Sequence, residues 1–307
     1  MSETLDAIVV GAGSAGLAAV REIGKRTDRF LLVNAGPYGT TCARVGCMPS
    51  KVLIEAANAF HKREIFDTMG IRGGAGLSVD LPAVLARVRA LRDDFVAGTL
   101  KLTDRLGDRS VAGRATILGP GRVEVAGREY RARSIVLATG SSPVVPKPWL
   151  AFGDRILTTD TLFEQQTLPG RIAVVGLGAI GVEIAQALSR LGVQVWGFDA
   201  AERLAGVADP KVEAVLREAL GGEFRIRTGV AVELAEAAGG IEVKAGDERV
   251  AVDKVLAAVG RRPNLAGLGL ETLGVKLDER GMPPVDPGTM RIGDLPVFLA
   301  GDANGDR

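Results

Sequence analysis

Two stretches of the sequence decide the fold: residues 6–16, DAIVVGAGSAG, and residues 171–181, RIAVVGLGAIG. Each reads as an apolar strand, a Gly-x-Gly-x-x-Gly turn and the start of a helix, and a second apolar strand follows. The copies are offset by 165 residues, and in both the residue closing the second strand, Asn34 or Asp199, stands 23 positions after the first glycine. One such motif is a weak signal, but two with the same spacing predict a pair of dinucleotide-binding units.

The three glycines of each motif have distinct physical roles. The first allows the tight turn from strand to helix, the second lets a pyrophosphate approach the backbone, and the third lets helix and strand pack closely. Free N–H groups and the helix dipole attract the phosphates at the helix N-terminus. The cofactor-binding residues predicted for the two loops are Gly11, Gly13, Ser14, Ala15 and Gly16, and Gly176, Gly178, Ala179, Ile180 and Gly181.

The repeat continues beyond the motifs. Short strands with turns follow each unit, at residues 115–131 and 224–252, and each set leads into an apolar strand that ends near a glycine, Gly140 or Gly260. Residues 50–107 are helical in character and have no counterpart in the second unit, so they are assigned to the first domain. The predicted fold class is α/β, with two Rossmann-like domains that each combine a parallel sheet with a β-meander.

Composition excludes several function classes. The chain has 307 residues, of which 47% are hydrophobic and 24% charged, enough for two domains with sizeable cores. The net charge of +1 provides no long-range field for nucleic acid or an anionic membrane. The first residues carry acids and no base, unlike a signal peptide, and the early apolar stretch is interrupted by glycines. We therefore expect a cytoplasmic protein without nucleic-acid or membrane partners.

Two cysteines and one histidine limit the possible chemistry. Cys42 and Cys47 are five positions apart, and a close pair in a cytosolic chain is typical of redox or metal sites rather than of a structural framework. His61 is the single histidine, which leaves too few ligands for a metal, so none is expected. Pro49 suits the first turn of a helix, which places Cys47 where the helix dipole favours a thiolate. In a regular helix, Cα atoms five apart are about 8.7 Å apart, whereas a disulfide needs about 4.4–6.8 Å. The pair closes only in a distorted backbone, which Gly46 permits.

The stretch at residues 39–51, GTTCARVGCMPSK, resembles the redox-active segment of the class I flavin disulfide reductases, and most closely that of dihydrolipoyl dehydrogenases. Further family motifs stand in the family's order along the whole chain: the first glycine motif, Ala138-Thr139-Gly140, residues 176–183, residues 260–264 and Gly301-Asp302. The resemblance implies an FAD-binding domain at residues 1–144 plus 267–307 and an NAD-binding domain at residues 145–266.

The resemblance also implies roles for individual residues. The catalytic set is Cys42, Cys47, Lys51 and Glu183: the flavin exchanges electrons with Cys47, Cys42 exchanges with a small-molecule or lipoyl-domain dithiol, and Lys51 pairs with Glu183. Asp302 binds the ribityl chain of FAD, and Asp199 binds the NAD ribose. The remaining cofactor-binding residues that it implies are Asn34, Thr40, Thr41, Cys42, Lys51, Ala115, Thr139, Gly140, Ser141, Glu183, Gly260, Arg262 and Gly301.

The chain departs from the family pattern at several points. Asn34 stands where the family usually carries Glu, Thr40 where a second glycine is usual, and Ala179 where a larger side chain often lies. The family also has a C-terminal interface domain of about 100–150 residues, which supplies the dimer contact and an acid/base histidine. The sequence ends at Arg307, so we expect this domain and full turnover to be lacking. A full-length protein of this kind is expected to be a homodimer, and these 307 residues are open to being a monomer.

Other classes remain to be separated. Reductases of the thioredoxin type carry C-x-x-C in the second domain, unlike the C-x₄-C of the first unit here. Glutathione reductase takes NADP through basic residues, whereas Asp199 suits the 2′-hydroxyl of NAD. A mercuric reductase or another class I disulfide reductase stays open, as does an FAD- and NAD-binding module without turnover.

Overall fold

In the structure, a computed structural model that describes residues 4–305, both glycine motifs join a parallel strand to a helix as predicted. The helices that follow the two motifs begin at Ser14 and Ala179, which keeps the offset of 165 residues. Contacts divide the chain into two compact units. The first comprises the chain up to Arg44, Asp94–Ser142 and the chain from Arg261 onward, and the second comprises Val45–Asp93 and Pro143–Gly260.

The strands are β1 (Leu5–Val10), β2 (Phe30–Asn34), β3 (Ser110–Ala112), β4 (Ala115–Gly119), β5 (Arg122–Val125), β6 (Arg128–Leu137), β7 (Ser141–Pro143), β8 (Ile156–Leu157), β9 (Arg171–Val175), β10 (Gln194–Phe198), β11 (Arg225–Arg227), β12 (Val232–Ala237), β13 (Gly240–Ala245), β14 (Glu248–Val252), β15 (Lys254–Ala257), β16 (Arg261–Pro263) and β17 (Val297–Leu299). The α-helices are α1 (Ser14–Ile23), α2 (Thr41–Arg44), α3 (Cys47–His61), α4 (Leu81–Asp104), α5 (Thr159–Leu162), α6 (Ala179–Arg190) and α7 (Pro210–Gly221).

The first unit is built on a parallel sheet with strand order β3-β2-β1-β6-β17. The N-terminal part of β6 also pairs with β5, which continues antiparallel to β4 and forms the predicted meander. The strand β1 is nearly continuous in apolar residues because both of its faces are covered: Ile8 and Val9 are fully buried, in different clusters. The carboxyl ends of β1 and β6 lie side by side, which brings the first glycine motif next to residues 138–141.

The second unit repeats this plan. Its parallel sheet has the order β11-β10-β9-β15-β8, and β12, β13 and β14 form the meander. The motif strand therefore lies between the next strand along the chain and the strand that follows the meander in both units. Two Rossmann-like units with a parallel sheet and a meander each are the predicted fold class, which is confirmed.

The helices α3 and α4 lie differently from the sequence-based assignment to the first domain. Leu53, Ala57, Leu85 and Val88 are fully buried in a cluster with residues of α6, which belongs to the second unit. An apolar stripe predicts that a helix face is buried but does not identify the surface that covers it. The unit boundaries at residues 142/143 and 260/261 stand near the predicted 144/145 and 266/267, and the assignment of cofactors to domains stays a prediction.

Candidate functional site

The first glycine loop is shaped by packing within the unit at two of its three glycines. A Cβ on Gly11, whose φ is +109°, would lie 2.3 Å from the Ala138 carbonyl oxygen, and one on Gly16 would lie 1.8 Å from the Gly11 oxygen. Gly13 differs, because the nearest atom to a Cβ there would be 4.0 Å away. Gly13 is the N-cap of α1, followed by Ser14 and Ala15. The absence of a side chain at Gly13 therefore leaves open space beside free helix N–H groups, which is what a pyrophosphate requires.

The second glycine loop has the same arrangement. A Cβ on Gly176 would lie 2.4 Å from the Ala258 oxygen, one on Gly181 would lie 1.8 Å from the Gly176 oxygen, and one on Gly178 would meet nothing within 4 Å. Gly178 caps α6, and Ala179 and Ile180 are its exposed first residues. Both loops thus combine two glycines that packing demands with one that it does not.

A polar side chain at the end of the second strand holds each loop. In the first unit, Asn34 Oδ1 accepts from the Ala12 amide at 3.1 Å, and its Nδ2 donates to the Gly36 oxygen at 2.7 Å. In the second unit, Asp199 Oδ2 accepts from the Leu177 amide at 2.5 Å, and Oδ1 accepts from the Ala201 amide at 2.8 Å. Neither side chain is exposed as a solvated surface group, which agrees with the predicted ligand-facing position.

The other predicted FAD residues of the first unit lie at the carboxyl ends of its strands. Thr139 Oγ1 is buried and has no hydrogen-bond partner, and Gly140 has a φ of +67°. Ser141 Oγ donates to Asp302 Oδ2 at 2.9 Å. A Cβ on Gly301, whose φ is +64°, would lie 2.8 Å from the Ala15 Cβ, so the turn that carries Asp302 packs on the start of α1.

The cysteine segment is helical on both sides of a break. Cys42 is half-buried in α2, and Cys47 is the exposed first residue of α3. Gly46 between them has φ −117° and ψ −118°, so the two residues do not share one regular helix, as the sequence predicted. Thr40 has a φ of +55°, a conformation that favours glycine, and Thr41 follows as the first residue of α2.

Lys51 and Glu183 meet, as predicted. Lys51 Nζ lies 2.6 Å from Glu183 Oε2, and the two side chains are 58% and 47% exposed. Lys51 is one turn after Cys47 on α3, so both lie on one face of that helix. An ion pair this exposed contributes little stability, which favours a role in chemistry over a role in folding.

A second polar contact lies two turns further along the same two helices. Seven residues after Lys51, Asn58 Oδ1 accepts from Arg190 Nη1 at 2.5 Å, and Arg190 stands seven residues after Glu183. The pairs occur in the same order along both helices, so α3 and α6 run parallel in one register. Arg190 also binds both carboxylate oxygens of Glu223, at 2.6 and 2.7 Å.

This contact perturbs the protonation of Glu223. Burial by itself raises the pKa of the Glu223 carboxyl, but hydrogen bonds from Arg190 and Gln186, together with the charge of Arg190, outweigh it and lower the pKa below its usual value. The carboxylate is therefore ionised throughout the neutral range, and it anchors the C-terminal end of α6.

A cleft of about 470 Å³ adjoins the second glycine loop. Gly176, Gly178 and Asp199 line it, and the side chains around them are largely apolar: Pro146, Trp149, Val175, Val230, Val232 and Val259. An apolar cleft with one carboxylate and an open helix N-terminus suits an adenosine with its ribose and pyrophosphate. The contribution of Trp149 was not predicted from the sequence, because residues 142–148 read only as a proline-rich linker.

Three predicted cofactor residues have less specific surroundings. Ala115 is buried at the start of β4 within the first unit's core. Gly260, with a φ of +121°, lines the cleft of the second unit, whereas Arg262 is exposed and belongs to the first unit. Their binding roles stay predictions. Arg261 and Asn264, whose roles the sequence did not suggest, contact residues 139–142 instead.

Within residues 4–305, no group of three or more His, Cys, Asp or Glu side chains is placed to hold a metal ion. His61 lies at the end of α3, with Nδ1 3.3 Å from Glu64 Oε2. In that same part of the chain, no helix has the length and apolar character needed to cross a membrane.

Comparison with known proteins places these features in context. Residues 5–307 match the family described as pyridine nucleotide-disulphide oxidoreductase. A dihydrolipoyl dehydrogenase from Thermus scotoductus is 35% identical, over 97% of this chain and 68% of its own length. A mercuric reductase from Staphylococcus aureus is 30% identical, over 90% and 52% respectively, and a glutathione reductase from Burkholderia cepacia is 33% identical, over 94% and 66%.

Among solved structures, the HOCl-induced flavoprotein disulfide reductase RclA from Escherichia coli superposes with a TM-score of 0.86. It is 23% identical, and the match covers 99% of this chain and 67% of that one, which shows a common fold. The chain thus spans about two thirds of the length of several of the proteins it resembles.

Proposed function

Because the chain belongs to the pyridine nucleotide-disulphide oxidoreductase family, we propose that it passes electron pairs between NAD(H), FAD, the Cys42–Cys47 pair and a substrate dithiol. The contact between Lys51 and Glu183 carries this proposal. It joins the helix that begins at Cys47 to the helix that begins at the second glycine loop, so thiol chemistry and nicotinamide binding are attached to one rigid helix pair.

Residues of the first unit fit FAD, which supplies an acceptor for hydride and a donor of electron pairs to a disulfide when it is bound. Gly13 leaves open space at the N-terminus of α1 for a pyrophosphate. Thr139 Oγ1 is a buried hydroxyl that still needs a hydrogen-bond partner. Asn34 and Asp302 offer acceptors for the hydroxyls of a ribose and a ribityl chain.

Residues of the second unit fit NAD(H). The cleft beside Gly178 takes the adenosine and pyrophosphate, and Asp199 accepts from the ribose 2′-hydroxyl. A carboxylate at this point repels the 2′-phosphate of NADP. This preference for NAD argues for a dihydrolipoyl dehydrogenase-like activity over a glutathione reductase-like one.

The two thiols and the ion pair have separate tasks. Cys47 begins α3, where the helix dipole favours its thiolate, and Cys42 exchanges with the substrate. Lys51, one turn from Cys47, keeps a positive charge beside the thiolate, and Glu183 holds the ammonium group in place. The electron balance is that NADH, a proton and the Cys42–Cys47 disulfide give NAD⁺ and two thiols. A reducing compartment such as the cytoplasm suits this reaction.

The proposed substrate is a dihydrolipoyl-type dithiol. Thiol exchange at neutral pH benefits from an acid/base group, a benefit of about 10²–10⁴-fold. His61 is the single histidine of these 307 residues, and it contacts Glu64 on its own side of α3. Residues 1–307 by themselves are therefore expected to oxidise NADH with a quinone acceptor and to turn over lipoamide slowly.

The experiment that tests the proposal counts thiols. The sequence has two cysteines, so the thiol titre of the unfolded protein reports on this pair alone. Oxidised protein loaded with FAD is treated with NADH without oxygen, and the titre is expected to rise from zero to two per chain. Without FAD, or in Cys47→Ser, no NADH-dependent rise is expected.

Lys51→Met is expected to slow the rise in thiols at least tenfold, whereas Lys62→Met, an exposed change at the end of α3, leaves the rate unchanged. A titre that stays at zero in the FAD-loaded protein, or a Lys51→Met rate equal to that of the wild type, contradicts the proposed function.

A further inference from the structure

The carboxylate of Asp302 is held by a buried serine. Ser141 is 6% exposed, and its Oγ lies 2.9 Å from Asp302 Oδ2, although the two residues are 161 positions apart. Asp302 Oδ1 accepts no hydrogen bond from the described residues, so one oxygen of this carboxylate is fixed within the protein and the other is available.

Arg261 determines the direction of this hydrogen bond. Its Nε lies 2.9 Å from Ser141 Oγ, and its Nη2 lies 2.5 Å from the Ser141 carbonyl oxygen. A guanidinium group only donates, so the serine oxygen must accept from Arg261. The single hydroxyl proton of Ser141 is then left for Asp302. The order of donation is therefore Arg261 to Ser141 to Asp302.

The same segment holds the residues on either side of Ser141. Asn264 donates from Nδ2 to the Thr139 oxygen at 3.1 Å, and its backbone amide donates to the Gly140 oxygen at 2.9 Å. Ser142 Oγ in turn donates to Asn264 Oδ1 at 2.8 Å. The loop at residues 139–142 is thus fixed by contacts from Arg261 and Asn264, about 120 residues away in the sequence.

We propose that Arg261 and Ser141 are positioning residues for FAD, which orient Asp302 so that its second oxygen accepts from a ribityl hydroxyl. The proposal rests on the proposed function and extends it to residues outside the cofactor-binding motifs. A polarised chain that ends on a carboxylate holds that group in one orientation before the cofactor arrives, which reduces the ordering cost of binding. Arg261 is suited to this task because its planar fork reaches two atoms of Ser141 at once.

The test is a double-mutant cycle on FAD affinity, measured by calorimetry and by quenching of FAD fluorescence with apoprotein. Arg261→Met is expected to weaken FAD binding about tenfold, or ~1.4 kcal/mol. Ser141→Ala, which removes only the hydroxyl, is expected to weaken binding about fivefold. In the Asp302→Ala background the change at Arg261 is expected to have less than about a twofold effect, because its target is gone.

Arg133→Met is the matched control, since Arg133 is an exposed arginine on β6 of the same unit. It is expected to leave FAD affinity unchanged. Thermal unfolding of each apoprotein shows whether a variant folds, and Ser141→Ala takes over the test if Arg261→Met does not.

The outcomes separate the two proposals. Wild-type protein that does not bind FAD overturns both of them. Wild-type protein that binds FAD, with unchanged affinity in a folded Arg261→Met or Ser141→Ala, overturns only the positioning role. An equal loss with and without Asp302 also overturns it, because Arg261 then acts through the fold rather than through this carboxylate.

Discussion

Replacing Asp199 with asparagine separates the structural task of this side chain from its proposed task in cofactor choice. Asp199 accepts from the Leu177 amide at 2.5 Å and from the Ala201 amide at 2.8 Å. Asn34 shows that an amide side chain can make the first of these bonds, since its Oδ1 accepts from the equivalent Ala12 amide. We expect Asp199→Asn to keep the glycine loop folded and to remove one negative charge from the cleft.

The magnitude follows from the contacts. An asparagine has one acceptor oxygen, so the Leu177 amide stays bonded while the Ala201 amide loses its acceptor, at a cost of about 1–3 kcal/mol in stability. Two unit charges about 5 Å apart repel by roughly 3 kcal/mol at an effective dielectric constant near 20. Relief of that repulsion raises the affinity for NADPH, and loss of a charged acceptor lowers the affinity for NADH. The NADH preference is expected to fall by about 10- to 100-fold.

The assay is calorimetric titration of NADH and NADPH into wild type, Asp199→Asn and Asp199→Ala, with thermal unfolding of each. Asp247→Asn, an exposed change in the turn between β13 and β14, is the control and leaves both affinities unchanged. Asp199→Ala is expected to lose more stability than Asp199→Asn, because it leaves both amides without an acceptor. Equal wild-type affinity for the two cofactors, or an unchanged preference in Asp199→Asn, refutes the reasoning.

Two further predictions concern stability. Gly16→Ala is expected to destabilise the protein by about 3 kcal/mol or more, because its Cβ meets the Gly11 carbonyl oxygen at 1.8 Å, whereas Gly36→Ala, with nothing within 4 Å, costs less than about 1 kcal/mol in urea unfolding; equal costs contradict the packing argument. The pKa of Glu223 is lower in the folded protein, so the stability from its contact with Arg190 is present above pH 4.5 and is lost as the pH falls through the folded-state value. Glu223→Gln is expected to be less stable than wild type at neutral pH and to lose less stability on acidification, and parallel pH profiles of the two proteins exclude this role.

The fold was predictable because its signals are local. The offset of 165 residues between the glycine motifs is repeated by the starts of α1 and α6, and each motif carries its turn, its helix start and its strand within about 30 residues. The helices α3 and α4 were predicted as helices but assigned to the other half of the molecule. Their apolar stripes resemble any buried helix face, and the surface that covers them lies more than 100 residues away in the sequence.

The candidate site divides in the same way. Lys51 and Glu183 were predicted to pair only because both stand in motifs of a known family, since 132 residues separate them. The contacts of Arg261 with Ser141 were not predicted, although residues 260–264 were recognised as a motif. A motif shows that residue types recur at a spacing, and it does not show which distant backbone they bind.

The comparison of Asn34 with Asp199 indicates which part of each side chain serves the fold. Both close the second strand of their unit, and both accept a hydrogen bond from the amide between the first two glycines. The loop therefore needs an acceptor oxygen at this position but no charge, because the neutral side chain of Asn34 supports a loop with the same glycine contacts. A negative charge at Asp199 is then in excess of what folding requires. Since this carboxylate lines the 470 Å³ cleft, its charge is best explained by what the cleft binds, and a ribose 2′-hydroxyl uses such an acceptor where a 2′-phosphate cannot.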